Sequence, residues 1–346
     1  MNEKTQKLTE WAVDKIKREY SEDIALLVAI EGHSVNEDGH GECFDYFVPE
    51  TERGNELAQT FIIDGIGYDL YPRSWERTEC TAALDDPATL CLGNAKILYS
   101  RTKEDETRFY AIRDKLYANL SNKEYTYKKA LEKLNVAMDI YRTAMFEDEL
   151  YKIRKAAGYI HYYLSLAVFY LNGTFSRDWR NGRVPELMTL QSLPDGFVEY
   201  YMAILRAKTT SELKSLAHLV ITSARQFILD YRPSRPADRN TPDFTALADW
   251  YQEISLWWRR LRYYCDVNNS DAAFVDACSL QSELSIVSEE FGLREMDLLG
   301  CFDINNLSFL SHRAEELEAY IISEIAGHNV ELKKYDSLED FLAQNR

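Results

Sequence analysis

The residues best suited to chemistry lie near the start of the chain, where apolar, small and acidic residues follow one another in a fixed order. An apolar run from Ile24 to Ile30 is followed by a small-residue turn that contains Gly32 and Ser34. Asp45 lies in a second apolar run, and Asp69 follows a third. The N–H groups of such a turn can bind a phosphate, and carboxylates are ligands that Mg²⁺ prefers. The order therefore predicts phosphate donors beside metal-binding acids.

This order resembles the catalytic core of the polymerase-β-type nucleotidyltransferases, especially the antibiotic-modifying branch that includes the kanamycin nucleotidyltransferases. The resemblance implies that Gly32 and Ser34 bind nucleotide phosphates, and that Asp45 and Asp69 are catalytic residues that hold Mg²⁺. It also implies that ATP is the donor, and that a nucleoside monophosphate is transferred to the hydroxyl of a small, aminoglycoside-like acceptor. By the same analogy, the chain is expected to form a homodimer.

A second stretch, from Asp178 to Val184, reads Asp-Trp-Arg-Asn-Gly-Arg-Val. It is similar to a Trp-Arg-Asn-x-Arg-Val run in the helical domain of the same enzymes, and the similarity implies that Arg180 belongs to the nucleotide site. Two further arginines, Arg73 and Arg77, follow the third apolar run. They could approach the phosphates or be ordinary surface charges.

The acid pair of that family is incomplete in this sequence. If Asp45 is the first member of the pair, the second position holds Phe47, and if it is the second member, the first position holds Cys43. Glu42 is the nearby carboxylate that could complete the metal site. A missing carboxylate favours an alternative function, that of a catalytically degenerate homologue acting as a ligand-binding or protein-interaction module.

The general base expected a few residues before the Trp is also absent. No acidic residue lies between Tyr159 and Arg177. Asp178 or Glu149 could substitute, provided that its carboxylate comes within hydrogen-bond reach of the acceptor hydroxyl. This second departure lies in the other half of the expected site, and it supports the same alternative.

Hydrophobic spacing predicts the elements that must position these residues. A helix is predicted over 7–20, a strand buried on both faces over 24–30, strands over 43–48, 61–70 and 96–100, and a helix over 104–120. Helices follow near 123–146, 147–172, 194–207, 210–231, 243–266, 270–291, 311–327 and 337–344. Ser121 and Glu124 have capping-box spacing and mark a predicted boundary. The predicted fold is α+β, with a nucleotidyltransferase-like mixed sheet and helices over 1–120 and a large all-helical domain over 121–346.

Composition limits the class of partner. The 346 residues include 57 acidic and 40 basic side chains, for a formal net charge of −17. Such a charge disfavours nucleic acid and anionic membrane surfaces, so the expected partners are a nucleotide and a small-molecule acceptor. The longest apolar run, Tyr163 to Leu171, is too short to span a bilayer. The N-terminus is polar, and the six cysteines form no Cys-x-x-Cys pair, so we expect reduced thiols in a cytoplasmic protein.

Histidines give a weaker signal. His33, His40 and Cys43 lie close together in sequence, but their spacing fits no common zinc pattern. His161 and His218 fall on predicted helices and are expected to be core or surface residues.

Overall fold

The computed structural model describes residues 3–30, 44–177, 183–233 and 242–344. Their architecture is α+β, which confirms the predicted class: a mixed five-stranded sheet with helices is followed by a long helical region. The strands are β1 (Ile24–Ile30), β2 (Tyr46–Pro49), β3 (Gln59–Ile63), β4 (Ile66–Pro72) and β5 (Ala95–Ser100). The helices are α1 (Glu3–Glu19), α2 (Trp75–Ala82), α3 (Leu90–Gly93), α4 (Lys103–Ser121), α5 (Lys123–Ala144), α6 (Leu150–Leu171), α7 (Arg183–Leu187), α8 (Phe197–Arg206), α9 (Thr210–Asp230), α10 (Phe244–Asp266), α11 (Ser270–Phe291), α12 (Ser308–Gly327) and α13 (Leu338–Gln344).

Strand β1 is buried along its whole length, as its unbroken apolar sequence predicts. The strand order is β3-β4-β2-β1-β5, with β1 antiparallel to both β2 and β5. Leu26 and Val28 pack in a cluster with residues of α2, α3 and α4, whereas Leu27 packs in a second cluster with Ile16 of α1. Both faces of β1 are therefore covered by helices.

The stretch predicted as one strand over 61–70 is a hairpin of two strands. β3 and β4 pair antiparallel, and Asp64 and Gly65 join them with φ angles of 52° and 79°. Positive φ at both positions is typical of the tight hairpin turn that Asp-Gly favours. β4 then pairs parallel to β2, with Tyr71 opposite Tyr46. The prediction was wrong because it joined the apolar residues on both sides of Asp64-Gly65 into one strand.

The chain divides into two compact units, Met1–Ser234 and Arg235–Arg346. The predicted boundary at residue 120 falls in the last turn of α4, inside the first unit. Leu166, Tyr170 and Phe175, from α6 and the segment after it, pack in the same apolar cluster as the sheet residue Leu26. The sheet and the helices that directly follow it share a core, so the change from strands to helices does not divide the compact units.

Helix α5 begins with a cap that differs from the predicted one. Oδ1 of Asn122 accepts hydrogen bonds from the N–H groups of Glu124 and Tyr125, each at 3.1 Å. Ser121 is the last residue of α4, and its hydroxyl donates to the oxygen of Tyr117. The predicted Ser121 capping box is therefore wrong by one residue. The cap is the next residue, Asn122, because Asn caps a helix as well as Ser does.

The second unit has a core of its own. Apolar side chains of α10, α11 and α12 form one cluster, which includes the fully buried Trp258, Leu280 and Leu317. Arg260 on α10 forms an ion pair with Asp276 on α11. In neither unit does a described helix combine the length and apolarity needed to cross a membrane.

Candidate functional site

Asp45 lies just before β2, and Asp69 lies on the neighbouring strand β4. Asp45 directly precedes β2 rather than lying within it, and its N–H donates to the oxygen of Val28 at 2.8 Å. Asp69 lies opposite Thr60 in the β3–β4 hairpin, and its exposed carboxylate is 3.4 Å from the Thr60 hydroxyl that donates to it. Because β2 and β4 are directly paired, the residue that precedes β2 lies next to the strand that carries Asp69.

Tyr71 connects Asp45 to β4, the strand that also carries Asp69. Its hydroxyl donates to Oδ2 of Asp45 at 3.0 Å. Residues two apart on a strand point to the same face, so Asp69 and Tyr71 share a face of β4. Burial first, and then the nearby charges of Cys91 and Asp45, raise the pKa of Tyr71 well above its usual value. The phenol therefore stays protonated at neutral pH and acts as a hydrogen-bond donor to Asp45.

Arg73, the residue after β4, forms a buried ion pair with Asp86. Its guanidinium is 1% exposed, lies 2.9 Å from Asp86 and also donates to the hydroxyl of Thr81. The half-exposed Arg77 donates to the same Asp86 carboxylate at 2.9 Å. Neither predicted alternative, phosphate ligand or surface charge, describes Arg73, whose guanidinium is directed into the protein.

The electrostatics of Asp86 follow from these partners. Burial tends to raise the pKa of Asp86, but hydrogen bonds from the Ala88 N–H and from Arg77, together with the charge of Arg73, hold it below its usual value. Cys91 lies beside this group, and burial raises the pKa of its thiol to about 11. A thiol with that pKa is protonated at neutral pH and is a poor nucleophile.

Several predicted site residues belong to segments outside the described part of the chain. Gly32, Ser34, Glu42 and Arg180 lie outside the described residues, as do His33, His40 and Cys43 of the weighed zinc cluster. Within the described ranges, no three or more His, Cys, Asp or Glu side chains form a group that could hold a metal ion. The two carboxylates still suit Mg²⁺ chemically, because this ion is often held by one or two carboxylates together with phosphate oxygens.

A second polar region lies at α6 and α7. Arg183, the first residue of α7, places its guanidinium 4.6 Å from the ring centroid of Tyr162. Burial raises the pKa of Tyr162, the charge of Arg183 lowers it, and the charge of Asp86 adds to the rise. Tyr162 therefore lies beside Arg183, a residue of the second stretch singled out in the sequence.

His161, the neighbour of Tyr162, was expected to be a core or surface residue, and it is buried at 1% exposure. Its ring lies between those of Phe197 and Tyr201, with centroid distances of 4.8 and 3.8 Å. Burial, aided by Arg183, lowers its pKa to about 3. The sequence signal that could have marked this region is Arg183, which belongs to the Trp-Arg-Asn-x-Arg-Val-like run.

Comparison with known proteins gives a distant likeness to a solved structure. No family model matches the chain, and none of the curated proteins does. The chain is similar to a solved structure described as a nucleotidyltransferase-like protein from Exiguobacterium sibiricum 255-15, with 12% sequence identity and a TM-score of 0.35. The match covers 71% of this chain and 92% of the other. A likeness of this degree does not identify the family of the chain.

Proposed function

We propose that the first compact unit binds a nucleoside triphosphate with Mg²⁺ and transfers the nucleoside monophosphate to a hydroxyl of a small, aminoglycoside-like molecule. In this proposal Asp45 and Asp69 are the catalytic metal-holding acids, Glu42 is a third metal ligand, and Gly32, Ser34 and Arg180 contact the nucleotide. ATP is the proposed donor. The proposal combines the resemblance of the sequence to the nucleotidyltransferases with the arrangement of the sheet.

The observation that supports this proposal most directly is the hydrogen bond from Tyr71 to Asp45. It ties β4, the strand that carries Asp69, to Asp45, the residue that precedes the paired strand β2. Two acids connected in this way could hold a cation and a triphosphate together. Bound Mg²⁺ would neutralise charge on the phosphates, while the protein groups hold and orient the nucleotide.

The test is calorimetric titration of the full chain with a non-hydrolysable ATP analogue, with and without Mg²⁺. We expect binding that requires Mg²⁺ and that weakens about tenfold or more in Asp69→Asn and Asp45→Asn, because each variant removes a charged ligand. Asp114→Asn is the matched control, since Asp114 is an exposed acid on α4. Equal binding by all three variants would contradict the assignment of the acids.

A second candidate function rests on a different observation, the burial of Arg73. Its guanidinium is engaged by Asp86 and Thr81, and Arg77 shares Asp86, so both described arginines next to β4 have protein partners. Arginines that already have protein partners are less available to bind phosphates. This favours a degenerate homologue that binds a ligand or a protein without transferring a nucleotide.

Product analysis separates the two candidates. The purified chain is incubated with ATP, Mg²⁺ and a panel of hydroxyl-bearing acceptors, and pyrophosphate release is followed. Release that depends on an acceptor and is lost in Asp69→Asn supports the transferase. Magnesium-dependent nucleotide binding without pyrophosphate release from any acceptor supports the degenerate homologue.

A further inference from the structure

A cavity of about 550 Å³ lies in the first unit, among α6, α7, α8 and the residues that follow α8. Its charged lining is entirely basic and consists of Arg154, Arg183, Arg206 and Lys208. No described lining residue is acidic, although the chain as a whole carries a formal charge of −17. Concentrated positive charge in a concave site attracts anions. The cavity therefore differs in charge from the rest of the protein.

Two nitrogen atoms of this lining are buried without a hydrogen-bond partner among the described residues, namely Nε2 of His161 and Nη1 of Arg183. Buried polar atoms in folded proteins nearly always have a partner, because an unpaired one has lost its contact with water and gained nothing in return. The His161 ring is also fixed by stacking against Phe197 and Tyr201. Both atoms belong to residues that line the cavity, so each is a candidate hydrogen-bonding group for a molecule bound there.

The protonation of the His161 ring follows from Ser165, one helical turn away. The Ser165 hydroxyl donates to the backbone oxygen of His161 at 2.7 Å, so its proton is already used. Its oxygen lies 3.4 Å from Nδ1 of His161 and can accept a proton from that nitrogen. A neutral imidazole carries a single N–H, which this contact favours on Nδ1. Nε2 is then an acceptor that requires a donor from a ligand.

The two unpartnered atoms therefore require opposite groups. Nη1 of Arg183 can only donate, so it requires an acceptor such as a carboxylate or phosphate oxygen. Nε2 of His161 requires a donor such as a hydroxyl. A cationic molecule such as an aminoglycoside would supply the donor but would be repelled by the arginines.

We propose that this cavity binds a small organic anion that also carries a hydroxyl group, either a hydroxycarboxylate or a phosphate monoester of a polyol. The anionic group accepts hydrogen bonds from Arg183, and the hydroxyl donates to Nε2 of His161. Arg206 and Lys208 are exposed at the rim and increase the attraction. The proposal does not depend on a metal at Asp45 and Asp69.

His161 binds this hydroxyl but does not remove its proton. An effective general base has a pKa near the working pH, whereas burial holds the pKa of His161 at about 3. A nitrogen that is so weakly basic accepts a hydrogen bond without taking up the proton. His161 is therefore a binding residue of this cavity and does not replace the general base that the sequence lacks.

The experiment is calorimetric titration of the full chain with two matched pairs of probes. Glycerol 3-phosphate is compared with propyl phosphate, and lactate is compared with propionate, so that each pair differs by its hydroxyl groups. We expect one pair to bind, with the hydroxylated member preferred, and the binding pair identifies the anion as phosphate or carboxylate. Titration extends to roughly 10 mM, above the millimolar dissociation constants of weak small-ligand complexes.

Three variants assign the binding to the cavity. Arg183→Gln is expected to weaken the preferred probe about tenfold or more, because a charged hydrogen bond is lost. His161→Phe keeps an aromatic ring between Phe197 and Tyr201, and we expect it to abolish the preference for the hydroxylated probe while binding of the other probe persists. Arg225→Gln, which removes an exposed arginine from α9, is the matched control and is expected to bind as the unaltered chain does.

Each remaining outcome overturns the proposal. If none of the four probes binds the unaltered chain, the cavity is not a site for this class of ligand. If Arg183→Gln binds as tightly as Arg225→Gln, any binding lies elsewhere. Retention of the hydroxyl preference in His161→Phe removes the role of Nε2. Circular dichroism of each variant ensures that a loss is scored only for folded protein, and Arg206→Gln at the rim provides a further test if Arg183→Gln does not fold.

Discussion

At the scale of single residues, Asp86 is the carboxylate that neutralises the two arginines following β4. It is the carboxylate partner of the buried Arg73 and also accepts from Arg77. A buried guanidinium that loses its counter-charge keeps the full cost of having left water. The intact ion pair therefore adds little net stability, whereas removal of Asp86 would destabilise the fold by leaving a buried, unpaired charge.

Asp86→Asn is expected to lower the free energy of unfolding by about 3 kcal/mol, because it leaves the charge of Arg73 buried and unpaired. Arg77→Met, on the same carboxylate, is expected to cost less than about 1 kcal/mol, since Arg77 is half exposed. Urea unfolding of both variants measures the difference. Equal losses would mean that the penalty does not come from Arg73.

His161 gives a prediction about pH. Its pKa is about 3 in the folded chain, below the ordinary value of 6.5 expected in the unfolded chain, so the unfolded chain binds more protons between these values. Its contribution to stability is therefore complete above pH 6.5 and is lost as the pH falls below it. Between pH 7.5 and 5.5 this loss is about 1.4 kcal/mol.

His161→Phe removes that titration and retains the stacked ring. We expect the free energy of unfolding of the variant to fall by about 1.4 kcal/mol less than that of the unaltered chain between pH 7.5 and 5.5. Urea unfolding at the two pH values gives the comparison, with other titrating groups cancelling between the proteins. An identical pH dependence would show that His161 is not held neutral in the folded state.

At the scale of elements, the long helices were predicted well because each carries a long apolar stripe and a recognisable end, whereas the short helices α2 and α7 were not predicted. α11 was predicted over 270–291 and found at Ser270–Phe291. The β3–β4 hairpin was missed, although Asp64-Gly65 between apolar residues is a strong local signal for a tight turn. Local patterns fix such elements, and the error lay in giving the apolar run more weight than the turn.

The start of α5 is a sharp test of local patterns. Asn122→Ala is expected to lower the free energy of unfolding by about 1 kcal/mol, because two N–H groups lose their acceptor. Ser121→Ala is expected to change it by less than about 0.5 kcal/mol, as for other exposed sites away from a cap. Thermal and urea unfolding of both variants provide the measurement. A larger effect at Ser121 would restore the cap predicted from the sequence.

The candidate sites were less predictable than the elements, for a physical reason. That Tyr71 reaches Asp45 depends on the parallel pairing of β2 with β4, and that Arg73 is buried depends on the segment that carries Asp86. Neither the β2–β4 strand pairing nor the Arg73–Asp86 ion pair can be predicted from hydrophobic periodicity in the sequence. Nε2 of His161 has no hydrogen-bond partner among the described residues, and this likewise depends on how α6, α7 and α8 pack around one cavity.

At the scale of the whole molecule, the chain consists of two units with separate apolar clusters. Leu317 is fully buried in the cluster of the second unit. Leu317→Ala is expected to destabilise that unit by about 3 kcal/mol through lost burial and a residual cavity. In scanning calorimetry of the full chain we expect two transitions, of which only one shifts. A single transition that moves as a whole would contradict independent unfolding of the units.

Strand β3 stands at one end of the described sheet, and it presents Ile62 at 76% exposure. A terminal strand carries backbone groups that can pair with a strand from another copy of the chain. At neutral pH the net negative charge opposes non-specific association of copies, whereas at the isoelectric point calculated from the sequence, about 4.9, this repulsion vanishes. Colloidal solubility should therefore reach its minimum in mildly acidic buffer, with precipitation that begins by strand addition at β3.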